Sequence, residues 1–359
     1  MYKVCVYAIC RNEIDNVDAW LDSMSEADYV VVLDSGSTDG TFEKLKADPR
    51  VTKCRQKVID PWRFDKGRNE SLKLVPKDSD ILFCTDLDER LEPGWADILR
   101  NAWSDEYTRG FYKYTWKHNE SGEDETTFWY DKIHTLDYKW KYPVHEQLYT
   151  KKEEKKIYID GIHLHHYPNG ESRPTYLPLL ELRVEENPKD FYSKFYLARE
   201  YGFYKMYEKG IELFKEIADS DSKEKNDGLM LPGCYCFIGD YYRELGDKDE
   251  AIKYYLKSIE SNRTYREPYL YIAEIFNEKQ MYSLAIHFIE EAFDNSVRHY
   301  NWLERDSTWR EKPYDILCIA YYYLNDYNRA YSCALTAYEF NKTNNRLYDN
   351  LMLCKNRLN

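Results

Sequence analysis

Two aspartates flank a single leucine at Asp86-Leu87-Asp88, directly after the apolar run Asp80–Thr85. In extended backbone, alternate side chains share a side, so these two carboxylates would converge. Converging anions repel unless a cation lies between them, and a hard divalent ion meets that need. Such an ion would neutralise a nucleotide diphosphate and assist its departure. A solvated acidic turn is the plainer reading of one such pair in a chain of net charge −13. Position adds weight, because two other apolar runs also end in polar sequence. Ala8-Ile9-Cys10 leads into Arg11-Asn12-Glu13, and Val31-Val32-Leu33 leads into Asp34-Ser35-Gly36-Ser37-Thr38-Asp39-Gly40-Thr41. The glycines there permit tight turns, and Ser37 or Thr38 can cap a following helix. A capped loop with no ligand fits that second segment equally well.

These segments need elements to hold them in place. Lys3–Cys10, Tyr29–Leu33 and Asp80–Thr85 read as buried strands. Ile14–Ser23, Thr41–Ala47 and Arg68–Leu74 read as helices between them. Apolar strands separated by helices predict a parallel sheet covered on both faces, with ligands beyond the carboxyl ends of the strands. Further along, His163 and His165 share one face of a strand and His166 takes the other. A structural role is the alternative for any one of them, and it weighs more for His163 than for His165. Glu146 follows His145 after the aromatic stretch Trp140-Lys141-Tyr142 and offers a base, with Glu89 second; a hydrogen-bond acceptor for His145 or an arginine describes Glu146 nearly as well. Trp116, Trp129 and Trp140 suit core packing better than sugar stacking.

Length and composition bound the remaining possibilities. A chain of 359 residues predicts two domains. Lys+Arg total 51 against Asp+Glu 64, which argues against a general nucleic-acid binder. No stretch approaches a membrane span, and nine scattered cysteines read as reduced thiols, so a cytoplasmic location is expected. Cys234-Tyr235-Cys236 lacks the second pair that a zinc knuckle requires.

From about residue 190 the pattern changes. Ala198, Tyr201, Gly210 and Phe214 set a register that recurs as Gly239, Tyr242, Ala251 and Tyr255, then as Ala273, Phe276, Ala285 and Ile289, and finally as Cys318, Tyr321, Ala330 and Ala334. Gly239 to Ala273 is a step of 34 residues, the tetratricopeptide period. Small residues at two offsets let antiparallel helices approach, and aromatics fill the space between; most of the 36 tyrosines fall here as packing residues. Leu245-Gly246-Asp247 and Leu324-Asn325-Asp326 supply inter-helix turns. The turn-rich stretch Tyr167–Pro174 marks the joint, giving domains over 1–180 and 181–359.

Taken in order, Ala8–Glu13, Val31–Thr41, Phe64–Asn69 and Asp86–Glu89 resemble the motifs of family-2 glycosyltransferases of GT-A fold. Tyr142-Pro143-Val144-His145-Glu146, His165–Pro168, Ser172-Arg173 and Tyr176–Glu181 resemble a subgroup with a tetratricopeptide domain behind the catalytic one, similar to the sublancin-type peptide S-glycosyltransferases. The resemblance implies an α/β GT-A domain, a Rossmann-like mixed sheet, followed by an all-α repeat domain. It implies inverting transfer of a hexose from a nucleotide-diphosphate sugar, a UDP-sugar foremost, to a peptide, protein or glycan. Arg11, Glu13, Asp34, Ser35, Asp39 and Asp86 would then hold base and ribose, and Arg68 and Asn69, at a helix start, the phosphates. Mn2+ or Mg2+ would be held by Asp88 with Asp86 and His165. Ser35 stands where many relatives carry a second acid that contacts uracil. An acceptor polypeptide or a second copy of the chain would dock on the repeats. The contrasting reading is a non-catalytic scaffold with a degenerate transferase domain. A nucleotidyltransferase would show a Gly-rich, Lys-containing loop near the first strand, and Ala8–Glu13 has none.

Overall fold

The computed structural model describes residues 1–119, 122–168 and 176–358; Ser172-Arg173 and the centre of the expected joint lie outside these. The chain forms two compact units, one of Met1–Asn119 with Asp124–Glu186 and another beginning in the main at Asn187. The division falls a few residues beyond the expected boundary at 180/181.

The first unit is built on an eight-stranded sheet of order β3-β2-β1-β4-β7-β6-β10-β5. Its strands are β1 (Val4–Cys10), β2 (Tyr29–Asp34), β3 (Lys53–Gln56), β4 (Ile81–Asp86), β5 (Glu89–Leu91), β6 (Arg109–His118), β7 (Asp124–His134) and β10 (Lys156–His166). A separate pair, β8 (Lys139–Lys141) and β9 (Gln147–Tyr149), is antiparallel. β1, β2, β3 and β4 are parallel, whereas β7 joins β4 antiparallel. The sheet is therefore mixed: the parallel expectation holds among β1 to β4, and in the other half β10 pairs parallel with β6 while β7 and β5 run antiparallel to their neighbours. Helices α1 (Val17–Ser23), α2 (Thr41–Ala47), α3 (Phe64–Leu72), α4 (Trp95–Ala102) and α5 (Tyr176–Glu186) complete the unit. α1 starts later than expected because Glu13–Asn16 closes a turn, the Asn16 N–H donating to the Glu13 carbonyl at 2.9 Å.

Strand alternation divides β1 between two cores. Val4, Val6 and Ala8 pack with Trp20, Trp95 and Leu99, while Cys5, Tyr7 and Ile9 pack with Leu82, Trp140 and Leu148. Both faces of the sheet are thus covered, which is why β1 is buried along its length. In the second core Trp140 Nε1 donates to Tyr7 Oη at 2.8 Å, and Tyr7 Oη lies 2.6 Å from His134 Nε2. β10 contains a bulge in which the five-residue step from Tyr158 to His163 opposes the two-residue step from Phe111 to Lys113. Gly161 occupies it at φ +92°. Ile157 and Ile159 before the bulge and Ile162 and Leu164 after it all face the large core, so the bulge changes the phase of the alternation.

The second unit is helical: α6 (Phe191–Phe203), α7 (Tyr207–Asp219), α8 (Met230–Glu244), α9 (Lys248–Ser261), α10 (Glu267–Glu278), α11 (Tyr282–Asn295), α12 (Glu311–Tyr323), α13 (Tyr327–Phe340) and α14 (Asn345–Asn356). The turns inside the pairs α6/α7, α8/α9, α10/α11 and α12/α13 share one construction. Lys205, Gly246, Gln280 and Asn325 each adopt positive φ. The N–H groups of Met206, Asp247, Met281 and Asp326 then return to the carbonyls of Tyr201, Tyr242, Phe276 and Tyr321. The small residues act as the repeat demands: a Cβ on Gly239 would lie 2.5 Å from Tyr255 Cε1, and one on Gly210 2.4 Å from Tyr241 Cε2. The tyrosines are packing residues, and several also tie backbone, as Tyr241 Oη does to the Ala198 carbonyl at 3.0 Å.

Two outcomes are expected. Gly239→Ala must displace the Tyr255 ring and should destabilise the repeats by about 1–3 kcal/mol in denaturant unfolding. Burial holds the His134 imidazole down at about 3, from an ordinary 6.5. Between those values the unfolded chain binds a proton that the native state refuses, so stability falls as pH falls through that window. His134→Gln should remove a slope of about 1.4 kcal/mol per pH unit there.

Candidate functional site

β1 has β2 on one side and β4 on the other, so the chain leaves β1 and β4 in opposite directions across the sheet. The carboxyl ends of β1, β2 and β4 consequently border the crevice where ligands bind in open α/β sheets. The segments singled out by sequence meet there.

Hydrogen bonds within the Asp34–Thr41 loop fix its shape. Asp34 is fully buried and accepts from the Gly36 and Ser37 N–H groups at 2.9 and 2.8 Å and from Gln56 Nε2 at 2.9 Å. Burial pushes its carboxyl up, but these donors outweigh it and hold the group below its ordinary value. Ser35 Oγ donates to the Cys10 carbonyl at 2.9 Å, joining the ends of β2 and β1. Asp39 accepts from the Thr41 and Ile14 N–H groups at 3.0 and 3.1 Å. The N-cap of α2 is Gly40, not Ser37 or Thr38, and Asp39 supplies the capping oxygen one residue earlier. Asn12, at φ +56°, accepts from the Thr38 N–H, and its own N–H donates to Ser37 Oγ, each at 2.8 Å. Arg11 is exposed. Glu13 accepts from Asn16 Nδ2 at 2.8 Å, and its carboxyl is raised by burial and by the neighbouring Asp88, Asp86 and Asp39 charges.

The two aspartates after β4 do not converge. β4 ends at Asp86 and the chain turns through Leu87 and Asp88, so the alternation expected of extended backbone does not reach the second acid. Asp86 accepts from Arg68 Nη1 and Nη2 at 3.0 and 2.9 Å and from Lys132 Nζ at 3.0 Å. Burial opposes its charge, yet Arg68 and Lys132 hold the carboxyl well below its usual range. Both its oxygens are thus engaged by cations. Asp88 turns instead to His166, Oδ2 to Nε2 at 3.2 Å. Burial disfavours a charged His166, but Asp88 lifts the ring above its ordinary value.

Arg68 lies well inside α3, which begins at Phe64, and not at the expected helix start, and it is ion-paired there. Its Nε also bonds Glu146, leaving Arg68 3% exposed between two carboxylates. Glu146 is therefore a partner of Arg68 and not an unengaged base; burial raises its carboxyl, and Arg68 and Lys132 bring it below the ordinary value. Glu89 is buried, accepts the Asp86 N–H at 2.9 Å and lies 3.6 Å from Lys132. Burial raises its carboxyl, with Asp86 and Asp88 adding to the effect. Asn69 exchanges two hydrogen bonds with the Trp140 backbone, at 2.8 and 3.0 Å, and so anchors β8.

His165 and His166 are consecutive in β10 and face opposite ways. His165 lies 3.0 Å from Glu92 Oε1 and 3.1 Å from His118 Nε2, so the histidine at Asp88 is His166 and not His165. The pairing of faces was readable in the sequence; which face meets Asp88 was not.

Three residues of the site went unread. Lys132 is an isolated lysine at the end of β7 and carries no local signal. Arg90 bonds the Leu87 and Glu89 carbonyls and Asn16 Oδ1, clamping the β4 turn to the β1 turn at 2.5, 2.8 and 2.8 Å. Arg183 of α5 is fully buried and donates to the Val144 and His145 carbonyls at 3.0 and 2.8 Å. Its guanidinium lies 4.0 Å from the Tyr142 ring. It thereby supports a loop in which Tyr142 and His145 both hold positive φ, at +79° and +47°.

A tetratricopeptide repeat family model matches residues 232–265, which span α8 and α9, so tetratricopeptide repeats are present in the second unit. No curated protein matches the chain. Among solved structures the chain is similar to MamA, at 15% identity over 47% of this chain and 83% of that one, with TM-score 0.37. It is also similar to the C-terminal part of a TPR repeat-containing protein from Cytophaga hutchinsonii, at 19% identity over 51% and 66%, TM-score 0.40. A third is a thermophilic TPR protein in Thermus thermophilus, at 16% identity over 51% and 90%, TM-score 0.36. No helix among the described residues is long and apolar enough to cross a membrane.

Removing Arg68 leaves Asp86 and Glu146 buried with too little positive charge. Arg68→Ala should cost about 3–5 kcal/mol of stability in denaturant unfolding, whereas substitution of exposed Arg11 should cost less than about 0.5 kcal/mol.

Proposed function

We propose that the first unit is a GT-A glycosyltransferase domain that binds a nucleotide-diphosphate sugar at the ends of β1, β2 and β4 and transfers the sugar with inversion. The observation that carries this reading is the Asp88–His166 pair, 3.2 Å apart beside the crevice where the chain reverses direction across the sheet. One carboxylate oxygen and one imidazole nitrogen, both partly accessible, fit a Mn2+ or Mg2+ ion that takes its remaining ligands from diphosphate and water. When bound, that ion would stabilise the departing nucleotide diphosphate. Arg68 and Lys132 hold Asp86 as a fixed anion, and Asp34 and Asp39 shape the loop against which base and ribose would lie. Glu146 remains the first candidate to accept the acceptor proton, since Arg68 keeps it anionic at neutral pH, and Glu89 the second. The acceptor in this reading is a peptide or protein engaged by the repeats, because stacked helix pairs present extended surfaces to polypeptides.

A second reading has one observation in its favour: the family match lies wholly in the repeats, as it would in a protein-binding scaffold. Donor hydrolysis separates the two. With manganese and a panel of nucleotide sugars led by UDP-hexoses, the wild-type chain should release nucleotide diphosphate. Asp88→Asn and His166→Gln should each slow that release by about 100-fold or more. Absence of cleavage with every donor, or variants as active as the wild type, would leave the scaffold reading standing.

A further inference from the structure

The other face of β10 carries a second constellation. His118 at the end of β6, Asp124 at the start of β7 and His165 near the end of β10 bring three donor atoms together. His118 Nε2 lies 3.1 Å from His165 Nδ1 and 3.6 Å from Asp124 Oδ1, and His165 Nδ1 lies 3.4 Å from the same Asp124 oxygen. We infer that these three side chains bind a zinc-class divalent cation, at a site separate from the Asp88–His166 pair.

Hydrogen bonding accounts for only part of this triangle. A single proton can lie between the two imidazole nitrogens, but the contacts to Asp124 are at or beyond hydrogen-bond length. A cation at the centre satisfies every edge together. Ligands at 2.0–2.1 Å around tetrahedral zinc are separated by about 3.3–3.4 Å, close to all three spacings. The protonation pattern agrees as well. If His165 Nδ1 ligates, its Nε2 keeps the hydrogen and donates to Glu92 Oε1 at 3.0 Å, the outer carboxylate that commonly orients a metal-bound histidine.

The rings are also held in place. The His163 ring lies 4.0 Å from that of His165, and His163 Nε2 is fixed by Thr115 Oγ1 at 2.8 Å. Tyr167 stacks on His118 with the planes 7° apart. The side chains of His118 and His165 are 14% and 16% exposed and that of Asp124 39%, leaving a fourth position open to water. Two imidazoles and one carboxylate favour zinc, or copper and nickel, over magnesium and calcium. The ion would join the ends of three strands, β6, β7 and β10, one residue away from His166.

The test uses the full chain, stripped with chelator and dialysed, titrated calorimetrically with ZnCl2 in the absence of nucleotide. The expected result is a zinc ion that His118→Gln and Asp124→Asn each release and that Asp88→Asn and His166→Gln leave in place. Glu92→Gln should weaken it by about 10–100-fold without removing a ligand, which keeps the test informative if a ligand variant folds poorly. Co2+ in place of zinc should give the visible absorption of a low-coordinate nitrogen–oxygen site in the wild type. No zinc uptake, a featureless cobalt spectrum, or zinc lost on Asp88→Asn but kept on His118→Gln would each overturn the assignment.

Discussion

Arg68 carries a permanent charge into an interior where an uncompensated ion costs several kcal/mol. The chain answers with Asp86 at the end of β4 and Glu146 in the loop between β8 and β9. Lys132 supplies a second cation to Asp86 and approaches Glu89. Segments that are distant in sequence are therefore held at the strand ends by charge neutralisation as well as by apolar packing. Two cations face three carboxylates in this cluster, and burial, with Asp86 and Asp88 adding to it, raises the Glu89 carboxyl. Asp86 thus supports the wall of the site, and Asp88 is left to face outward toward His166.

Features governed by local chain geometry were readable from the amino-acid order. Buried strands ending in polar turns and helix pairs with small residues at their crossings both follow from periodicity and size. Features that depend on which strand lies beside which were not readable. The resemblance implied a mixed sheet, but β7 inserts antiparallel between β4 and β6, and nothing near Lys132 announces that it will arrive beside Asp86. The same limit explains His165 and His166. Their opposition is a property of one strand, whereas the identity of the neighbour on each side belongs to the assembled sheet. Asn69 and Asp39 carried a different ambiguity, since a polar residue at a strand or helix end serves a ligand or the backbone equally well. Here both bond to backbone.

In the second unit the repeat is kept by two devices acting at different places. Small residues at the crossings bring helices close enough for tyrosine rings to fill the gap. Residues with positive φ at each turn close the helix ends by the same backbone bonds. Of the four turn residues, Gly246 alone meets that second demand without steric cost. Asn325 tolerates the left-handed region better than most side chains, whereas Lys205 and Gln280 accept strain there, so at those turns the geometry is imposed by helix packing more than by the turn residue.

The bulge at Gly161 has a consequence for how this sheet tolerates change. Because the extra residues on β10 are odd in number, they decide which of two adjoining imidazoles looks toward Asp88 and which toward His118 and Asp124. A single-residue insertion or deletion between Tyr158 and Ile162 that slipped the following register by one would leave every histidine in the chain yet exchange their addresses, breaking both sets of contacts at once. The spacing of this stretch, and not merely its residues, is under constraint. The bulge is a phase marker for two side-chain clusters placed back to back on one strand.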